Sequence, residues 1–81
     1  MVTIRWSNGQ EDSADTWQEL LDRVRKFQWS VMPEDEFRGV IAKRAWRWTL
    51  TSIDAELPPA GLFAEMERAK LIEIIDEREE I

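Results

Sequence analysis

The sequence predicts a small α+β fold: a β-hairpin, three helices and a C-terminal strand in the order β-β-α-α-α-β, with the helices on one face of a short sheet. Three features carry that reading. The chain opens on an alternating apolar–polar segment that runs into Asn8-Gly9. Two longer stretches repeat apolar residues at helical spacing behind recognisable start signals. A β-branched run follows a third, shorter helical stretch near the end. With 81 residues the chain has room for a single domain, spanning 1–81, and its 43% hydrophobic content separates it from disordered acidic sequences.

Val2-Thr3-Ile4-Arg5-Trp6 places Val2, Ile4 and Trp6 on one face of a strand. Ser7-Asn8-Gly9-Gln10 supplies a hairpin turn, since Asn and Gly tolerate the positive φ such turns need. The return strand, residues 10–14, is polar and suits an edge, where Glu11 and Asp12 discourage pairing with another chain. A helix follows behind two alternative capping boxes, Asp15 with Gln18 or Thr16 with Glu19. Its apolar face holds Trp17, Leu20, Leu21, Val24 and Phe27, and its cations Arg23, Arg25 and Lys26 are expected in salt bridges with nearby acids.

Residues 29–32 read as a short connector. Pro33 at the first helical position, with Glu34, Asp35 and Glu36 behind it, marks a second helix start whose acids complement the helix dipole. Phe37, Val40, Ile41, Ala45 and Trp48 are expected inward; Arg38, Lys43, Arg44 and Arg47 are the cations. In the irregular stretch 49–59, Leu50, Ile53 and Leu57 are expected to tuck down, and Pro58-Pro59 stops a helix from running through. A third helix over residues 60–69 turns Leu62, Phe63, Met66 and Ala69 inward. Residues 71–75 form a final strand paired with the first, and 76–81 a charged, fraying tail.

Composition narrows the chemistry. The chain has no Cys, His or Tyr, which removes disulfides, thiolate nucleophiles, imidazole acid–base catalysis and the commonest zinc ligands. Gly9, Gly39 and Gly61 are isolated, so neither a dinucleotide-binding nor a P-loop pattern can be written. The acidic groups Glu34-Asp35-Glu36 and Asp76, Glu77, Glu79 and Glu80 read as dipole compensation and as a solvated tail. No cofactor or metal is expected, and the protein is not expected to be an enzyme. No segment reaches the length of a membrane span and no signal peptide is read, so a cytoplasmic location is expected.

The net charge of −6 is unevenly spread. Residues 1–30 carry four bases against five acids, 31–50 four against three, and 51–81 three against nine. Acidity therefore gathers near the C-terminus, which opposes binding to nucleic acid or anionic lipid. The opposite composition occurs in Ala42-Lys43-Arg44-Ala45-Trp46-Arg47-Trp48, where cations alternate with large aromatics. Lys43, Arg44, Trp46 and Arg47 form the candidate interaction surface. Trp46 lies nine residues after Phe37, about 180° around the helix, and shares a side with Gly39, Ala42 and Lys43. Three readings are open: packing beneath another element with Gly39 and Ala42 making room, an interface anchor of the aromatic-plus-Arg kind, or stacking on a nucleic-acid base.

The stretch from Leu62 to Ile75 resembles the end of a winged helix domain, where a recognition helix leads into a wing strand. Such a helix is basic, whereas Glu65, Glu67, Arg68 and Lys70 here balance to zero. Over most of its length the chain resembles small uncharacterised proteins of actinobacterial bacteriophages, through Trp6-Ser7-Asn8-Gly9, Asp15-Thr16-Trp17, Phe37-Arg38 with the Ala42–Trp48 segment, and Phe63-Ala64-Glu65-Met66-Glu67-Arg68-Ala69 into Leu71-Ile72. That resemblance implies a host-cytoplasm location and a non-structural or minor structural phage role; it does not imply any particular activity.

The function expected from these readings is that of a non-catalytic protein-binding module whose partner is an unidentified host or phage protein. The alternatives are an acidic nucleic-acid mimic inhibiting a defence or transcription protein, a winged-helix-like nucleic-acid accessory, and a homo-oligomeric minor structural protein.

Overall fold

A computed structural model describes residues 1–28 and 32–80, with the backbone alone for residues 27 and 28. The elements follow in the expected order: β1 (Val2–Trp6), β2 (Glu11–Ala14), α1 (Trp17–Gln28), α2 (Glu34–Thr49), α3 (Pro59–Arg68) and β3 (Ile72–Glu77). The strands form one antiparallel sheet in the order β2-β1-β3, so the N-terminal strand is the central one and pairs with the last. The α+β class and the β-β-α-α-α-β order are as the sequence predicts.

The hairpin turn uses its Asn-Gly pair in a longer loop than two residues. Gly9 N–H donates to Trp6 O at 2.9 Å, Trp6 N–H to Gln10 O at 2.8 Å, and Gln10 N–H to the Asn8 Oδ1 at 2.9 Å. Only Gly9 takes positive φ in this loop, at 91°, where a Cβ would be strained.

Val2 and Ile4 are fully buried because β1 faces the helices with its even-numbered residues. Ala14 and Ile72 join them from the flanking strands. The opposite face is polar: Thr3 and Ser13 hydroxyls bond at 2.9 Å, and Arg5 lies 2.9 Å from Glu11 and 3.8 Å from Glu73, tying all three strands together.

β3 runs two residues past the expected end. Ile4 pairs with Ile74 but Thr3 pairs with Asp76, so Ile75 is the extra residue of a bulge. The bulge resets the alternation and sets Asp76 opposite Thr3, on the polar face rather than in the core. The Arg78 side chain then holds the Asp76 carboxyl down at about 2.

The segment expected to fray is tied down as well. Glu79 Oε1 accepts from Trp17 N–H at 3.0 Å, Glu80 N–H donates to Asp15 O at 2.8 Å, and the Met1 ammonium reaches Arg78 O at 2.6 Å and Glu80 at 3.2 Å. Ile81 lies outside the described residues.

Of the two capping options for α1, Thr16 is the one used: its Oγ1 accepts from Glu19 N–H at 3.2 Å. Trp17, Leu20, Leu21 and Val24 are buried as expected. The Phe27 side chain and the connector at 29–31 fall outside the described residues. Trp17 packs on Phe63 of α3 with ring centroids 5.1 Å apart, and Leu62, Met66 and Ala69 complete the inner face of α3. Arg23 and Arg25 pair with Glu19 and Asp22 on their own helix.

α2 is anchored by its first half. Phe37, Ile41 and Ala45 are buried. Arg38, 12% exposed, donates from Nε to Glu34 Oε2 at 3.0 Å and from its terminal nitrogen to the carbonyls of Ala55, at 2.9 Å, and Leu57. It thereby staples the irregular stretch onto the helix. Ile53 is buried there and Leu57 half-buried, but Leu50, expected to tuck down, is 75% exposed.

Arg38→Met keeps the stem's packing but strips two carbonyls of their donor. It is expected to destabilise the fold by about 1–3 kcal/mol, read as a lower urea midpoint. Lys26→Met, at an exposed position on α1, is expected to change it little. Equal effects would remove the staple.

Candidate interaction surface on the second helix

The last buried residue of α2 is Ala45, yet the helix continues to Thr49. This final turn overhangs the core. Trp48, placed on the inner side by spacing, is 63% exposed; Trp46 is 58% exposed. The inward expectation for Trp48 is therefore corrected: the helical angle is right, but the core stops short of it.

The overhang is nonetheless fixed in place. Leu50 ends the helix in the left-handed region at φ 54°, with its N–H on Trp46 O at 3.0 Å, and Thr51 N–H bonds Ala45 O at 3.2 Å. Thr49 Oγ1 also donates to Ala45 O, at 2.8 Å.

The four candidate residues fall into two groups. Lys43 and Arg47, one helical turn apart and both exposed, border Trp46 in a shallow depression completed by Ala42, Ser52 and Ile53. Arg44, half-buried, lies on the other side with its guanidinium 5.3 Å from the centre of the Trp48 ring, a cation–π distance. Burial pushes the Arg44 guanidinium below its ordinary value.

Trp48 also forms one wall of a groove of about 400 Å³ between α2, the end of β1 and the α3–β3 junction. Its floor is apolar, from Trp6, Phe37, Ile41, Met66 and Leu71, and Arg44 and Lys70 border it. Sequence spacing missed this groove, because it is made by three elements distant in the chain. The one available signal was Trp6, an aromatic on the last residue of a strand.

The structure also answers whether Trp46 packs under another element. A Cβ built on Gly39, on the same side of the helix, meets nothing within 4 Å. That side is open at Gly39, and Trp46 beyond it is more than half exposed.

Of the acids opening α2, Glu34 is occupied by neighbouring side chains. Glu34 accepts from the Gln18 amide at 3.0 Å, and this bond, with Arg38, holds its carboxyl below the usual range. Among the described residues no three carboxylates gather into a group that could hold a metal ion, and no helix is long and apolar enough to cross a membrane. Compared with family models, curated proteins and solved structures, the chain matches none.

If the Gly39 side of α2 is open, Gly39→Ala is expected to stabilise the protein by about 0.5–1 kcal/mol, the helix-interior advantage of Ala over Gly. Thermal unfolding reads this directly. A loss of stability would mean that something packs on that side.

Proposed function

We propose that this protein is a non-catalytic protein-binding module that docks a partner through the C-terminal half of α2. The observation that carries the reading is the pair Trp46 and Trp48, both more than half exposed on a capped, rigid helix end beside Lys43, Arg44 and Arg47. Each Trp offers about 150–250 Å² of surface. Exposed aromatics flanked by Arg are what interface hot spots are made of, and here they stand on two sides of one helix end.

Leu50 adds support. A leucine in the left-handed region costs about 1–2 kcal/mol where glycine would cost little, and this one is 75% exposed. Its apolar side chain repays nothing within the described fold, while at an interface it would extend the apolar patch.

Acidic mimicry draws less support. Of the acids near the C-terminus, Glu67 accepts from Ile74 N–H at 2.7 Å, Asp76 holds Arg78, and Glu79 caps α1, so these carboxylates serve the fold. Nucleic-acid binding runs against the net charge of −6.

The test compares capture of partners from lysate of the source cells by the wild type, by Trp46→Ala/Arg47→Ala, and by Arg5→Ala on the sheet's polar face. The α2 variant is expected to keep its melting temperature and to lose about thirtyfold or more in affinity, the scale of a hot spot. Arg5→Ala is expected to retain the partner. Retention by the α2 variant would overturn the proposal.

A further inference from the structure

We infer that the groove between α2, the end of β1 and the α3–β3 junction seats the apolar anchor residue of an acidic peptide segment in the partner protein, with Arg44 and Lys70 receiving the flanking carboxylates. The inference rests on the binding-module reading and gives the partner its chemistry.

Charge is the first argument. The chain holds 17 acids and 11 bases, yet among the described residues the charged ones lining this groove are the cations Arg44 and Lys70. The adjoining surface that shares Trp48 continues the pattern with Lys43, Arg44 and Arg47. A basic surface with an apolar floor, on a protein of net charge −6, selects a ligand that is itself acidic and carries an apolar side chain.

The Arg44 side chain and the Lys70 backbone are both fixed at the groove. Arg44 lies against the Trp48 ring. Lys70 occupies the left-handed position after α3, at φ 64°, where Lys70 N–H bonds Glu67 O at 2.9 Å and Leu71 N–H bonds Met66 O at 3.0 Å. This is a Schellman ending, a position that favours glycine, and it carries a lysine at the groove. The same backbone bonds satisfy the carbonyls at the end of α3, as the Leu50 cap does at the end of α2. Side-chain cations therefore dominate the charge at the groove.

Shape distinguishes a peptide from a small carboxylate. At about 400 Å³ the groove is at the lower end of the range of ligand pockets, roughly 300–1,000 Å³. Its wall at Trp48 is 63% exposed, so a small molecule would remain open to water on that side. Small-ligand sites enclose about 70–90% of their ligand. A peptide places one residue in the groove and runs onward over Trp48 and the cations of α2.

The test is selection from a random peptide display library on the intact protein, followed by titration of the selected consensus peptide. The consensus is expected to hold a Trp, Phe or Leu flanked by Asp and Glu. Its affinity should fall about tenfold or more in Arg44→Glu/Lys70→Glu and weaken with added salt. Lys26→Glu, an exposed charge reversal elsewhere, is expected to leave it unchanged, with melting curves confirming that both variants fold. The indole N–H signals of Trp6 and Trp48 should move on binding.

Consensus peptides without acids, or acidic ones that bind the double reversal as tightly as the wild type, would overturn the inference. So would an unchanged Trp6 signal. Trp46→Ala/Arg47→Ala keeps the groove intact and separates the two claims. If that variant loses the cellular partner while the groove fails these tests, the binding surface stands without the groove. If it keeps the partner and the acidic peptide still requires Arg44 and Lys70, the groove stands and the Trp46 surface falls.

Discussion

The pairing of β1 with β3 is the constraint on which the remaining structure depends. β1 lies between β2 and β3, so both of its edges are hydrogen-bonded only when the two ends of the chain come together, Val2 opposite Glu77. That closure turns Val2 and Ile4 against the helices and gives α1 and α3 a common floor. Glu79, Glu80 and the Met1 ammonium lock it with bonds that cross the whole sequence. Contacts so distant in sequence carry a high loop-closure cost, so the sheet should complete late in folding.

α2 stands apart from this arrangement. Its inner side is held by Phe37, Ile41, Ala45 and the Arg38 staple; its last turn extends past the core carrying two tryptophans, and Leu50 follows at its cap. A domain of this size has little apolar surface to spare. Leaving such residues in water, with a leucine in a glycine conformation at the helix end, works against stability. Natural proteins retain such conflicts chiefly where a function needs them.

Much of the fold was legible in the sequence because local signals and tertiary demands agree. Alternation in Val2 to Trp6, the spacing of Trp17, Leu20, Leu21 and Val24, and Pro58-Pro59 ahead of the third helix each correspond to what forms. The failures have physical causes. The bulge at Ile75 breaks the period-two pattern that a strand reading needs, so alternation alone ends the strand early and reads its continuation as a tail. Helical periodicity gives the angle of Trp48 but not how far the core extends along the helix axis. The candidate site was half legible: Lys43, Arg44, Trp46 and Arg47 stand out by composition, whereas the groove needs Trp6, Met66 and Leu71 brought in from elsewhere.

The exposure of the α2 tryptophans is the central claim, and it can be measured without a partner. Fluorotryptophan would be incorporated and each ¹⁹F signal assigned by single substitution, then followed as a soluble paramagnetic gadolinium chelate is added. Trp46 and Trp48 are expected to broaden strongly while Trp17, which is 6% exposed, stays sharp. Protection of Trp46 and Trp48 to the level of Trp17 in the monomer would contradict the exposed surface, and the proposed interface with it.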